Sequence, residues 1–173
     1  MAELSATGNN ILFLTQNVVV ANKKTVPFYG TLADADNYFY MHPQYAVWND
    51  QEQDDKMRFL VGATRIVDRL NFVGQKKADD QQLQFPRTCA ADVPVPIIQA
   101  VYEIALKLAD GFDSDTEGRN LSVRSQGYAG SKTDYDRTFV PDYIRAGVPS
   151  QGAWLLLYPY LRDPNQLNLV RNS

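Results

Sequence analysis

Two apolar stripes at helical spacing constrain this chain more than any other feature. Phe59, Ala63, Ile66 and Leu70, flanked by Leu60 and Val67, recur on one side of a helix expected over residues 51–70. Ile97, Val101, Ile104 and Leu108 recur in the same way after Pro94 and Pro96, which suit a helix entry, and Gly111 is placed to stop the run. A helix with one apolar face must bury it against another element. The two stripes are therefore expected to close a single core, with Ile66, Leu70, Ile97, Val101 and Ile104 largely buried. At 173 residues there is room for one domain, or one domain with an arm.

Shorter elements arrange themselves around that pair. Thr31 followed by Asp34 resembles a capping box, and Leu32, Ala35, Tyr38 and Phe39 then recur at helical spacing until Pro43 ends the run. Asp54 and Asp55 sit where the dipole of the next helix favours acids. Residues 71–94 are too polar for a helix, yet carry Leu83 and Phe85 as anchors, and read as a structured loop. Upstream, Ile11–Leu14 and Val18–Ala21 read as a strand or extended arm, interrupted by Lys23, Lys24 and Pro27. Downstream, Leu121–Arg124 and Thr133–Arg137 read as two strands around Gly127–Gly130, a loop too long for a two-residue turn. Pro149 leads a short apolar helix, Ala153–Tyr158, which Pro159 distorts or ends. The expected fold is mainly α: a small bundle of about four helices with a protruding β-hairpin and extended N- and C-terminal arms. The expected divisions are an arm or edge strand over 1–28, a helical domain over 29–161 with the hairpin at about 119–137, and a tail over 162–173.

The residues do not assemble an enzyme. His42, the only histidine, precedes Pro43 at the end of an aromatic-rich helix and reads as a capping or packing residue. Cys89 has no histidine near it in sequence, and one Cys with one His supplies neither a disulfide nor an ordinary zinc site. The acid pairs Asp54–Asp55 and Asp79–Asp80 read as solvated surface. Asp113–Gly118 has the acids and glycine of a calcium loop, but its twelfth position is Arg124, a cation where a bidentate Glu is required. No phosphate-cradling loop or dinucleotide fingerprint is present. No catalytic activity, cofactor or metal is expected. With no apolar run of about 20 residues and no charged-then-apolar leader, a soluble, cytosolic domain without membrane contact is the default expectation.

Nucleic-acid contact has a narrow basis. Arg119, Arg124, Lys132 and Arg137 lie in the hairpin region with Tyr128 and Tyr135, and cations interleaved with aromatics suit single strands. Asp134 and Asp136 dilute that field. The 17 Lys and Arg against 20 Asp and Glu give the chain a net charge of −3, the wrong sign for a life of phosphate contacts.

Taken in order, several segments carry a family resemblance. They are Tyr29–Phe39, Trp48, Ala63–Asp68, Gln82–Arg87, Val95–Ala100, Glu103–Leu106, a hairpin ending in Asp134-Tyr135, and Leu157–Leu161. The pattern resembles the head-to-tail adaptor (connector, head-completion) proteins of tailed bacteriophages, a group often given the misleading label of DnaT-like single-stranded-DNA-binding protein. The resemblance spans about residues 29–161, and the Gln-x-Leu-x-aromatic-Pro-Arg loop is its most specific part. It implies a structural virion protein of the neck, between capsid and tail, present in the host cytoplasm during assembly. It implies a homo-oligomeric ring, commonly twelvefold, that binds the portal protein and tail or neck proteins. Such a ring extends the channel through which double-stranded genomic DNA passes without tight binding. A single-stranded-DNA-binding replication accessory is the alternative function.

Within that frame Phe85 and Arg87 have two readings. One is a loop pinned to its own core; the other is a subunit contact in which Arg87 pairs with a neighbour's carboxylate. The tail, with Arg162, Leu167, Leu169 and Arg171, is expected to dock on an acidic partner, the portal.

Overall fold

The computed structural model describes residues 16–18, 26–88, 90–113, 125–128, 131–134 and 140–162. Among these the chain is mainly helical, with two antiparallel strand pairs, β1–β2 and β3–β4. The first helix, α1 (Leu32–Phe39), starts as its sequence dictates: the Thr31 Oγ1 accepts the Asp34 N–H at 3.0 Å. The reciprocal half of the box differs from expectation. The Asp34 carboxylate accepts the Thr31 hydroxyl at 2.7 Å, while the Thr31 N–H turns inward to the Tyr102 hydroxyl at 3.4 Å. A five-residue helix, α2 (Tyr45–Asn49), follows directly and delivers Trp48 to the core.

The two long helices are α3 (Gln53–Asp68) and α4 (Val95–Ala109), and they pack against each other along their lengths. The buried line of α3 is Leu60, Ala63 and Val67. Ile66, Leu70 and Phe59, expected at its centre, lie half-buried along its edges. The apolar arc of α3 is wide enough to include both lines, which share Ala63, and packing against α4 puts Leu60 and Val67 at the centre in place of Phe59 and Ile66. Gly62 marks that packing, since a Cβ there would come within 3.3 Å of the Leu108 side chain. On α4 the expectation holds for Ile97, Val101 and Ile104, all fully buried.

Two further short helices close the core, α5 (Asp142–Arg145) and α6 (Gln151–Leu157). The Ser150 hydroxyl caps α6 by accepting the Ala153 N–H at 3.2 Å, and Ala153 and Leu157 bury against α4. At Pro159 the helix tightens into a 3₁₀ turn over Tyr158–Tyr160. The chain then runs back along the loop after α3. Leu161 bridges Phe72, the Arg162 N–H donates to the Asn71 carbonyl at 2.9 Å, and the Val73 N–H donates to the Tyr160 carbonyl at 2.9 Å.

β1 (Gln16–Val18) pairs with β2 (Val26–Phe28), so Val18 belongs to an edge strand, while Ile11–Leu14 lies outside the described residues. Pro27, read in sequence as a break, sits inside β2, opposite Asn17, as an edge position permits. The second hairpin is displaced from its expected register. Its strands are β3 (Ser125–Tyr128) and β4 (Ser131–Asp134), and Tyr128 pairs with Ser131, leaving only Ala129 and Gly130 between them. The ladder thus includes Gly127 and Tyr128, which the sequence reading placed in a longer loop. A two-residue connection ending in Gly is the commonest way to turn such a ladder.

Candidate functional site

The loop between α3 and α4 is organised by one guanidinium. Arg87 Nε donates to the Val73 carbonyl at 2.8 Å, Nη2 to the carbonyls of Phe72 (2.9 Å) and Gly74, and Nη1 to the side chain of Gln84 at 2.9 Å. The cation also lies over the rings of Phe72 and Phe85, 6.0 and 5.8 Å from their centroids. Phe85 is buried beneath it, edge-on to Phe72, Tyr29 and Tyr160. Of the two readings of these residues, this is the geometry of a loop pinned to its own core. The Phe85–Pro86 bond is cis.

The same loop is fastened from below by a polar pair that the sequence reading did not single out. The Tyr29 hydroxyl donates to Asp68 Oδ1 at 2.5 Å and accepts the Phe85 N–H at 3.0 Å. Asp68 Oδ1 also accepts the Gln84 N–H at 3.2 Å, and the Tyr29 N–H donates to the buried Thr64 hydroxyl at 3.2 Å. Burial raises the Asp68 carboxyl above its ordinary range, and the bonds from Tyr29 and Gln84 and the nearby Lys76 only partly offset this. Burial beside that carboxylate likewise pushes the Tyr29 phenol up, so Tyr29 stays a donor at any ordinary pH. Just beyond, Gly30 has φ +78°, and a Cβ there would collide with Tyr102 and Ile98. The resemblance segments Tyr29–Phe39, Ala63–Asp68 and Gln82–Arg87 therefore meet at one junction, and what they do there is hold the fold.

Two other clusters are also structural in geometry. His42 Nδ1 accepts the Gln44 N–H at 3.1 Å and its Nε2 lies 3.6 Å from Glu103, which accepts the Tyr38 hydroxyl at 2.8 Å. That is the capping arrangement expected of His42. Asp36 Oδ1 accepts from Trp48 Nε1 at 2.7 Å and from Lys56 at 3.0 Å, fixing α1 to α2 and α3. Burial pushes Tyr102, which faces Gly30 and Thr31, up to about 12. No group of histidine, cysteine and acidic side chains among the described residues could hold a metal ion. No described helix is long and apolar enough to cross a membrane.

The surface offers two kinds of feature. Apolar side chains stand exposed at separate corners: Tyr40 (69% exposed) and Met41 (85%) at the end of α1, with Leu155 and Tyr158 (65% each) on α6 and its 3₁₀ extension. An open cleft of about 470 Å³ lies between β2, α3 and the pinned loop, lined by Val26, Pro27, Leu83 and Thr64, with Arg65, Arg69 and Asp68 from α3. Of the hairpin residues, Tyr128 and Lys132 fall in β3 and β4, opposite Ser131 and Gly127. Arg119, Arg124, Tyr135 and Arg137 lie outside the described residues, as do Cys89 and, in the tail, Leu167, Leu169 and Arg171. Arg162 is exposed, held by its backbone bond to Asn71. The structure brings Phe85 and Arg87 together, at the Tyr29–Asp68 junction.

Neither a curated protein nor a solved structure matches the chain. Residues 20–142 match the protein family described as "Putative DnaT-like ssDNA binding protein", a match that begins upstream of β2 and runs through α4 and the second hairpin to the start of α5. With most of its length matched, the chain belongs to that family.

Proposed function

We propose that this chain is a structural virion protein that packs, in multiple copies, between the portal and the tail of a tailed phage, around the passage for DNA. The observation that carries this reading is the surface: exposed Tyr40, Met41, Leu155 and Tyr158 at separate corners of an acidic body. Separate apolar corners suit contacts with several protein neighbours, and net acidity suits a wall past which DNA slides. The resemblance of Tyr29–Leu161 to phage adaptors supports the same reading. The C-terminal tail is the segment proposed to reach the portal. The test is a Met41→Asp variant, at a site with nothing packed over it. It should keep the helical spectrum and melting temperature of the parent chain, yet lose attachment to portal-bearing heads. Attachment undiminished by that charge would count against the reading.

A second reading has its own support, the family description, which names single-stranded DNA. On that reading the chain is a replication accessory that binds single strands. Fluorescence anisotropy with a labelled oligonucleotide of about 30 bases separates the two. Submicromolar binding at physiological salt supports the accessory, and its absence leaves the adaptor.

A further inference from the structure

Six of the cations whose side chains the structure describes are engaged. Lys56 pairs with Asp36 and Arg58 with Asp55; Lys76 and Lys77 donate to the carbonyls of Gln81 and Ala91; Lys107 reaches Gln44; and Arg87 is spent on its loop. Arg65 and Arg69 are exposed, on α3 and at its C-cap one turn on, and neither side chain has a hydrogen bond or ion pair. Arg145 and Arg162 are unpaired too, but only Arg65 and Arg69 line a common cleft. A helix that holds like charges four residues apart is weakened, not strengthened, by them. The acid between them, Asp68, is turned inward to Tyr29 and Gln84, and Lys76 stands behind it. The two guanidiniums flank the cleft of about 470 Å³ whose other walls are Val26, Pro27 and Leu83, with Gln82 at the rim. The acids Asp79 and Asp80 belong to the same loop but do not line it.

We propose that Arg65 and Arg69 contact consecutive phosphates of one nucleic-acid strand lying along the cleft between β2 and α3. Residues four apart on a helix rise by about 6 Å, comparable to the separation of successive phosphates on an extended strand. Each guanidinium presents a fork that matches a phosphate, and the apolar floor can take the edge of a sugar or base without a sequence-specific bond. Such a contact is backbone-directed and weak, because two cations on an acidic protein form a small electrostatic footprint. The inference holds under either functional reading: the adaptor would present the pair to duplex DNA, the accessory to a single strand.

The test uses the full chain with two labelled probes of equal length, an oligo-dT of about 30 bases and a duplex of about 30 base pairs, at low salt of about 50 mM. The Arg65→Ala/Arg69→Ala variant should bind about tenfold or more weakly than the parent, with an unchanged melting temperature. Its salt dependence on the single strand should fall by a slope of about 1.4, the share of two phosphates. The charge-matched variant Arg58→Ala/Arg145→Ala, at exposed cations that do not line the cleft, should bind as the parent does. Either probe preference supports the contact, and the preference itself separates the readings. Equal weakening by both double variants would reduce the effect to net charge and overturn the site. Parent-like binding by the cleft variant would overturn the site while leaving a DNA-binding function standing. A parent chain that binds neither probe would overturn the site and the single-strand reading together.

Discussion

Arg87 shows how much of a specific-looking motif can be architecture. Its donors close the loop from Phe72 to Gln84, and a lysine could supply one point charge but not the fork. Arg87→Lys is expected to cost about 1.5–3 kcal/mol in denaturant unfolding, the range for hydrogen bonds to a charged group. Tyr29→Phe leaves the buried Phe85 N–H without its acceptor and Asp68 with only the Gln84 N–H, and should cost about 1–3 kcal/mol by the same measurement. Asp68 makes a pH prediction. Its folded carboxyl titrates above its unfolded value, so the folded state binds the proton more readily. Its contribution is fully present below the unfolded value and is lost as pH rises through the folded one. Asp68→Asn keeps an acceptor oxygen but cannot charge. Relative to that variant, the parent should therefore gain stability as pH falls through the Asp68 folded value. A constant difference between the two curves would show that Asp68 is not held against burial. The pinning of Phe85 and Arg87 was legible in the sequence as one of two readings, but the Tyr29–Asp68 pair was not, because Tyr29, Asp68 and Phe85 are brought together across 39 and 56 residues by the packing of other elements.

Among elements, what local chemistry decides was readable and what packing decides was not. α1 begins at Thr31 because a hydroxyl there can take the Asp34 N–H, and α4 begins after Pro94 for an equally local reason. The rotation of α3 about its axis was off by one position, since Phe59/Ile66 and Leu60/Val67 offer equivalent arcs until α4 chooses between them. α2 left no periodic signal at five residues; it exists because Trp48 buries and its indole N–H finds Asp36. The second hairpin carries no apolar alternation to mark its ends, so its register came out of the turn and not the pattern. Arg65 entered the sequence reading only within the resemblance segment Ala63–Asp68, and Arg69 did not enter it at all. α4 carries the firmest element-scale prediction: Ile104→Ala, at a fully buried site, should cost about 2–5 kcal/mol. A loss below about 0.5 kcal/mol would contradict its place in the core.

At the scale of the whole molecule, an acidic body with a well-satisfied interior keeps its unsatisfied chemistry on the outside. No buried polar side chain in the described residues lacks a hydrogen-bond partner, so the fold stores little that a partner must complete. The exposed apolar corners and the unpaired arginines are what remain for contacts. The last described residues, Leu161 and Arg162, are held against Phe72 and Asn71, and the sequence of 163–173 carries too little apolar bulk for a core of its own. Deleting residues 163–173 should therefore preserve the unfolding midpoint while abolishing attachment to portal-bearing heads. A truncated chain that still attaches would move the contact to the residues before β2. The most direct measurement of the proposed adaptor role is co-sedimentation of the purified parent chain with portal-bearing phage heads. The adaptor account predicts saturable attachment in several copies per head, insensitive to nuclease. A chain that stays in the supernatant, or that pellets only while nucleic acid is present, would contradict it.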